Sequence, residues 1–187
     1  MKLTSKHILL FAIALSIAHF ALSQTHRVAN ELTTVTVVGT SSLHDWESDV
    51  EEVSGSGTFK MTSGQVSDIR DLNVIFRVKS IESGKSKMNE LTYEAFDADN
   101  HPNIKFEITN VLSIEGNHVK ARGKLSMAGQ SKVISPSGLL SVSGNSITIK
   151  GSEEIDMTEY GMETPTAMFG AIKVGKTVII EYEVTFK

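Results

Sequence analysis

The chain contains no cysteine. That absence removes disulfides, thiol chemistry, iron–sulfur clusters and cysteine zinc sites, and it excludes a lipid-modified amino terminus. Positive charge is not in excess either: 18 Lys and Arg against 22 Asp and Glu give a formal charge of −4, a poor basis for binding nucleic acid or anionic headgroups. Beyond residue 23 the histidines are His26, His44, His101 and His118, none in a His-x-His or His-x-x-x-His spacing, so no metal site is expected. There is no Gly-x-Ser-x-Gly elbow, and Gly55-Ser56-Gly57 is too short to cradle a phosphate. No repeat, low-complexity tract or linker divides the chain. The apolar run Ile8–Ala18 is too short to span a bilayer; with Lys2 and Lys6 before it and Ala21-Leu22-Ser23 after it, it has the form of a signal peptide, residues 1–23. Its removal takes away two lysines and no acids, so residues 24–187 carry a formal charge of −6. They form one domain, long enough to bury a core, expected in the periplasm or secreted.

What is present is period-two alternation. Leu72, Val74, Phe76 and Val78 alternate with polar or outward positions, as do Phe106, Ile108, Leu112 and Ile114, with Asn110 as a break. The same holds for Val119, Ala121, Leu125 and Met127, for Ile147 and Ile149, and for Val178, Ile180, Tyr182, Val184 and Phe186. Weaker strands are expected over Leu32–Thr40, through Trp46, and over Gly57–Met61 before the turn Ser63-Gly64. Each strand has one dry and one wet face. Short glycine turns at 115–117, 143–145 and 174–176 make neighbours antiparallel. About eight such strands close most simply into a barrel, which abolishes sheet edges; a two-sheet sandwich uses the same spacing. One segment departs from this period. Met88, Leu91, Thr92 and Ala95 recur at helical spacing between Ser86, an expected N-cap, and His101-Pro102, predicting a short helix that covers one barrel end.

The run Gly39-Thr40-Ser41-Ser42-Leu43-His44-Asp45-Trp46-Glu47 concentrates a histidine, acids, hydroxyls and the sole tryptophan. Adjacent side chains on an extended strand point to opposite faces, so His44 and Asp45 do not form a base with its orienting acid. The structural reading is that Trp46 closes a barrel end while His44 and Asp45 satisfy turn backbone groups. Glu51-Glu52 and Glu153-Glu154 read as solvated turn faces.

These pieces, in this order, resemble the YceI-like family of exported lipid-binding proteins. The resemblance rests on residues 39–46, on Leu72-Asn73-Val74 through Lys79-Ser80-Ile81, and on Met88-Asn89 leading to His101-Pro102-Asn103-Ile104-Lys105-Phe106. It continues through Ala121–Gly129 and the late segment Asp156–Gly170. It implies an all-β, eight-stranded antiparallel lipocalin-like barrel with one short helix, its apolar lumen holding an isoprenoid-type lipid such as a prenyl pyrophosphate or a quinone tail.

The expected lipid wall is Val74, Phe76, Val78, Phe106, Ile108, Leu125, Met127, Val178, Ile180 and Tyr182, residues that a filled core would use equally. Met157, Met162, Met168 and Phe169 suit an adaptable gate. Arg70, Arg77 and Arg122 are candidates for a pyrophosphate by charge alone, and an outward position is expected for all three. No catalytic residue, metal or cofactor is expected, and the protein would act as a monomer or homodimer with transient membrane contact. Two other readings use the same residues: an enzyme acting on a lipid or small apolar substrate with His44 as base, and a structural barrel with a filled core. N-terminal sequencing of the exported protein is expected to begin at Gln24; a chain starting at Met1 would contradict the leader.

Overall fold

The computed structural model describes residues 23–187, so all of the expected leader except Ser23 lies outside the described residues. Thirteen strand segments form one curled antiparallel sheet, and bends rather than turns join several of them. β1 (Ser23–Arg27) and β2 (Thr34–Ser41) make the first long run; β3 (Trp46–Val50) and β4 (Val53–Thr62) the second; β5 (Gln65–Arg77) and β6 (Ile81–Glu82) the third. β7 (Asn103–Glu115) and β8 (His118–Met127) follow, then β9 (Gln130–Ile134) with β10 (Ser137–Ser143), β11 (Ser146–Asp156), and β13 (Ile172–Phe186) with β12 (Thr166–Ala167) folded on its start. Counted this way the chain makes eight runs, each paired with the next.

The last run pairs with the first, which closes the ring. β13 lies against β2 from Val174↔Ser41 to Glu183↔Thr34, and beyond that Arg27 and Lys187 exchange both backbone hydrogen bonds (2.7 and 2.8 Å). The expected barrel is therefore the observed one. Its wall parts at two places. β5 and β7 pair only over Asn73–Arg77 and Asn103–Glu107, so 65–72 and 108–115 have no ladder between them; and β9 pairs only with β8 while the β10–β11 ladder stops at Gly138↔Gly151, so Ser152–Asp156 have no strand on that side. A 3-10 turn, Met157–Tyr160, packs beside the second parting; Asp156 starts it by accepting from the Thr158 amide (3.0 Å) and from Lys176 Nζ (2.7 Å). Those bonds to Lys176 and Thr158 hold the Asp156 carboxyl down at about 2.

The alternation of β8 and β13 agrees with the expectation, and that of β7 does not. Register shifts after Ile108 and Val111 turn Val111 toward the core and leave Leu112 exposed, because each bulge inserts a residue and reverses the side-chain phase. The turns at Gly116 and Gly144 have positive φ as expected, whereas Gly175 lies inside β13 at a bulge and makes no turn. Val78 is also re-assigned: it is wholly buried, but in a 3-10 turn that ends β5, away from the lumen wall.

The single α-helix among the described residues, α1 (Ser86–Phe96), forms from good helix formers with only one β-branched residue, and stops where Asp97 turns left-handed (φ 49°) ahead of Pro102. Lys85, not Ser86, is its N-cap, and no side chain caps it. Instead it is fastened laterally. Asn89 donates to the Glu82 carboxylate and accepts from the Ser83 amide (2.9 Å) and hydroxyl (2.7 Å). The Tyr93 hydroxyl lies 3.0 Å from Glu82 Oε1; burial first, then this bond, pushes its pKa up to about 12. At the other end of the barrel the core is solid: Phe59, with no exposed surface, meets Phe186 edge-on at 5.2 Å and the buried His26 ring at 5.6 Å. Phe59→Ala is expected to cost about 3–5 kcal/mol of unfolding free energy and Asn89→Ala about 1–2 kcal/mol, both measured by urea denaturation; losses below ~0.5 kcal/mol would contradict these packing assignments.

Candidate functional site

The inward faces of the runs enclose two apolar cavities along the barrel. The larger, about 320 Å³, lies beneath α1 and is lined by Val35, Val37, Trp46, Ile104 and Ile172 among others. The smaller, about 110 Å³, extends toward Phe186. Phe76, Ile155 and Ile180 line both, so the two cavities adjoin at these three side chains. The helical stripe expected from spacing, Met88, Leu91, Thr92 and Ala95, faces the larger cavity, and no α1 residue is fully buried. The helix thus acts as a cover over a hollow, consistent with its side-on fastening.

Most of the expected wall residues reach this lumen. Val74, Phe76, Phe106, Ile108, Leu125, Ile180 and Tyr182 line the smaller cavity; Phe76, Met127, Val178 and Ile180, with Met157 and Met162, line the larger. Three do not. Val78 is core, and Met168 and Phe169 project from the β12–β13 hairpin tip, Met168 71% and Phe169 fully exposed. Both tip residues hold positive φ, 51° and 57°, an unfavourable conformation for side chains of this size. They stand beside the β2–β3 hairpin, whose tip carries exposed Leu43, because Ser42 and Lys173 exchange hydrogen bonds of 2.9 and 3.0 Å.

The 39–47 run forms the cavity mouth. Ser41 Oγ accepts from the Leu43 and His44 amides (both 3.2 Å) and donates to the His44 carbonyl (2.7 Å), so Ser41 builds the turn expected of Asp45, whose side chain makes no hydrogen bond among the described residues. His44 Nδ1 sits 2.6 Å from the Asp45 carbonyl, a backbone oxygen and not a carboxylate. Trp46 donates from Nε1 to the Thr40 carbonyl (3.1 Å) and lies flat across Gly39, its direct cross-strand partner. A Cβ on Gly39 would fall 2.2 Å from the Trp46 ring. Tyr182 is seated likewise over Gly151, where a Cβ would meet its hydroxyl at 2.6 Å. These two glycines let large rings lie along the wall and leave the lumen free.

Charge is arranged unevenly around this lumen. His44, Lys85 and Lys87 stand at the larger cavity's mouth, Lys87 tied to Glu90 at 2.9 Å, a bond that raises its pKa. Sequence reasoning overlooked these lysines because they lie outside any strand pattern. The three arginines point outward as expected: Arg70 is held by Asp68 (2.7 Å), Arg77 lies 3.9 Å from Glu52, and Arg122 is exposed. Glu153 overturns its expectation. It occupies an inward position of β11, between Gly151 and Ile155, and lines the smaller cavity, while Glu154 is solvent-exposed. Desolvation raises the Glu153 pKa. Among the described residues no group of three His, Asp or Glu side chains is placed to hold a metal ion.

Comparison with known proteins agrees with this architecture. No curated protein sequence matches. Among solved structures, the chain is similar to Burkholderia cenocepacia BcnA, with a TM-score of 0.72 at 17% identity over 84% of this chain and 98% of that one. It is also similar to a polyisoprenoid binding domain from Saccharophagus degradans implicated in plant cell wall breakdown (TM-score 0.69, 12% identity, 87% and 97% covered). A third similar structure is the Campylobacter jejuni YCEI protein (TM-score 0.61, 18% identity, 74% and 82% covered). At these identities the likeness establishes the fold. The sequence pattern of the YceI-like domain matches residues 19–186, nearly the whole chain, and the protein therefore belongs to the YceI-like domain family.

Proposed function

We propose that the protein is an exported, non-enzymatic carrier or scavenger that holds an isoprenoid-type lipid chain along the barrel lumen. The observation that carries this reading is the pair of apolar cavities that adjoin at Phe76, Ile155 and Ile180: a long, narrow, dry space suits a chain without hydrogen-bonding groups. Binding strength then follows apolar area withdrawn from water, ~25 cal/mol per Å². The Saccharophagus degradans relative, described as a polyisoprenoid binding domain, supports the same ligand class. Hollow space of this extent argues against a barrel that serves only as packed scaffold. The His44 ring, held by a backbone carbonyl, lacks the oriented carboxylate that a general base would use.

Loading takes place at the α1 end. There Leu43, Met168 and Phe169 present exposed apolar surface beside the mouth, fit for brief contact with a bilayer from which the lipid is drawn. The methionine–phenylalanine tip thus serves entry from outside the lumen. A phosphate-bearing head would remain at this mouth, near Lys85 and Lys87.

Organic extraction of the purified protein followed by mass spectrometry is expected to yield an isoprenoid lipid; protein that neither carries nor takes up such a lipid would overturn the proposal. Trp46 is the sole tryptophan and lines the larger cavity, so its emission is expected to shift when an octaprenyl chain is added. Gly39→Ala pushes that ring off the wall and is expected to weaken octaprenyl binding about tenfold or more, as ~1.4 kcal/mol of lost contact implies, with a red-shifted emission in the unliganded variant. Unchanged affinity in a folded Gly39→Ala protein would place the lipid elsewhere.

A further inference from the structure

We infer that Glu153 marks a second, polar recognition point inside the lumen, which takes a hydrogen-bond-donating end group, hydroxyl or amine, of an otherwise apolar ligand. This rests on the lipid-carrier reading and adds a chemical requirement to it. Among the described residues Glu153 is the only carboxylate lining the smaller cavity; the other lining side chains are aliphatic or aromatic apart from Ser137 and the Tyr182 hydroxyl. It lies directly across the ladder from Ile180 and makes no hydrogen bond or ion pair among the described residues. An acid so placed loses hydration and gains no partner, a cost that a leucine at the same inward position would not carry.

The surroundings reinforce the assignment. Glu153 sits where the wall parts between β9 and β11, beside the Pro136–Gly138 bend. The 3-10 turn at this parting brings in Tyr160, 2% exposed, whose hydroxyl has no hydrogen-bond partner among the described residues. The Tyr182 hydroxyl, on the other flank, makes only a long 3.4 Å bond to the Ser137 carbonyl. Burial raises both phenols; the charges of Glu159 and then Glu153 raise Tyr160 further, and that of Glu153 raises Tyr182, to about 12, so both stay protonated. The remaining charges nearby neutralise each other: Lys132 on β9 pairs with Glu159 at 3.5 Å, and Lys150 on the outer face of β11 with Glu183 at 3.0 Å. Glu153 and Tyr182 therefore line the inner compartment without a cation of their own, and the unpartnered Tyr160 hydroxyl is buried outside that lining. An O–H or N–H donor satisfies that set, and a phosphate is repelled by it. The lumen is bipolar, with cations at the mouth and an acid inside, and a ligand with a donor head enters that end first.

The test uses geranylgeraniol, geranylgeranylamine, a hydrocarbon of equal length and geranylgeranyl diphosphate, each presented in detergent micelles, with Trp46 emission reporting the affinity. The parent is expected to bind the alcohol and the amine about tenfold tighter than the hydrocarbon, the worth of one good hydrogen bond to a charged acceptor. Glu153→Leu is expected to erase that preference while leaving hydrocarbon affinity within about twofold. Equal affinity of the parent for alcohol and hydrocarbon, or a preference that survives Glu153→Leu, overturns the subsite; so does a diphosphate affinity that falls in Glu153→Leu, since an anion gains nothing from that acid. If no probe binds, the carrier reading falls and the subsite falls with it. A second readout guards against a misfolded variant. Because the folded pKa of Glu153 lies above its unfolded value, the native state holds the extra proton, and parent stability rises as pH falls through that folded value. Glu153→Gln is therefore expected to melt higher than the parent near neutral pH, with the gap closing toward acid; a constant gap or a lower melting point contradicts an unpartnered lumen acid.

Discussion

An eight-stranded ring has an interior of fixed, small width, and every inward side chain competes for it. Filled with ordinary core residues such a ring is solid, as it is around Phe59 and Phe186. To stay hollow over the rest of its length it must keep large rings against the wall. Trp46 and Tyr182 do this by lying over Gly39 and Gly151, their direct cross-strand partners. The cover α1 depends on the same constraint: its apolar stripe is useful only because there is open space beneath it. Cavity, cover and mouth are thus consequences of where the wall is thin.

Strands with strict alternation and no bulge were readable directly. β8 and the C-terminal half of β13 put every expected apolar residue inside, and the helical spacing of Met88, Leu91, Thr92 and Ala95 gave the cavity-facing side of α1. The misses have physical causes. In β7 two bulges exchange Val111 for Leu112, and a period-two reading has no means of locating a bulge. The run β9–β10 was not expected at all, because Val133, Leu139 and Val142 point outward and the bend at Pro136 breaks what pattern remains. Two segments read as separate strands, one through Trp46 and one over Gly57–Met61, are a single bent run, which is how the count of eight survived a missed strand.

The site was legible in its apolar part and illegible in its polar part. Inward aliphatic and aromatic residues follow from alternation, so nine of the ten expected wall residues face one cavity or both, joined by two of the four expected gate residues. Alternation also placed Glu153 inward, in phase with Ile147, Ile149 and Ile155, but adjacent acids suggest a solvated surface and the composition outweighed the phase. Met168 and Phe169 were expected in an adaptable gate, and the β12–β13 hairpin, too short to be visible in the sequence, sets them outside the lumen beside its mouth.

The seam of the ring joins Arg27 to Lys187, the two ends of the described chain. A growing polypeptide can therefore lay down seven ladders in order yet remain an open ribbon with two bare edges until β13 pairs with β2. Closure is the final event, and it is also the first possible moment at which a lumen exists. A chain without β13 would lose more than local contacts: it would keep most of its sheet and have no inside.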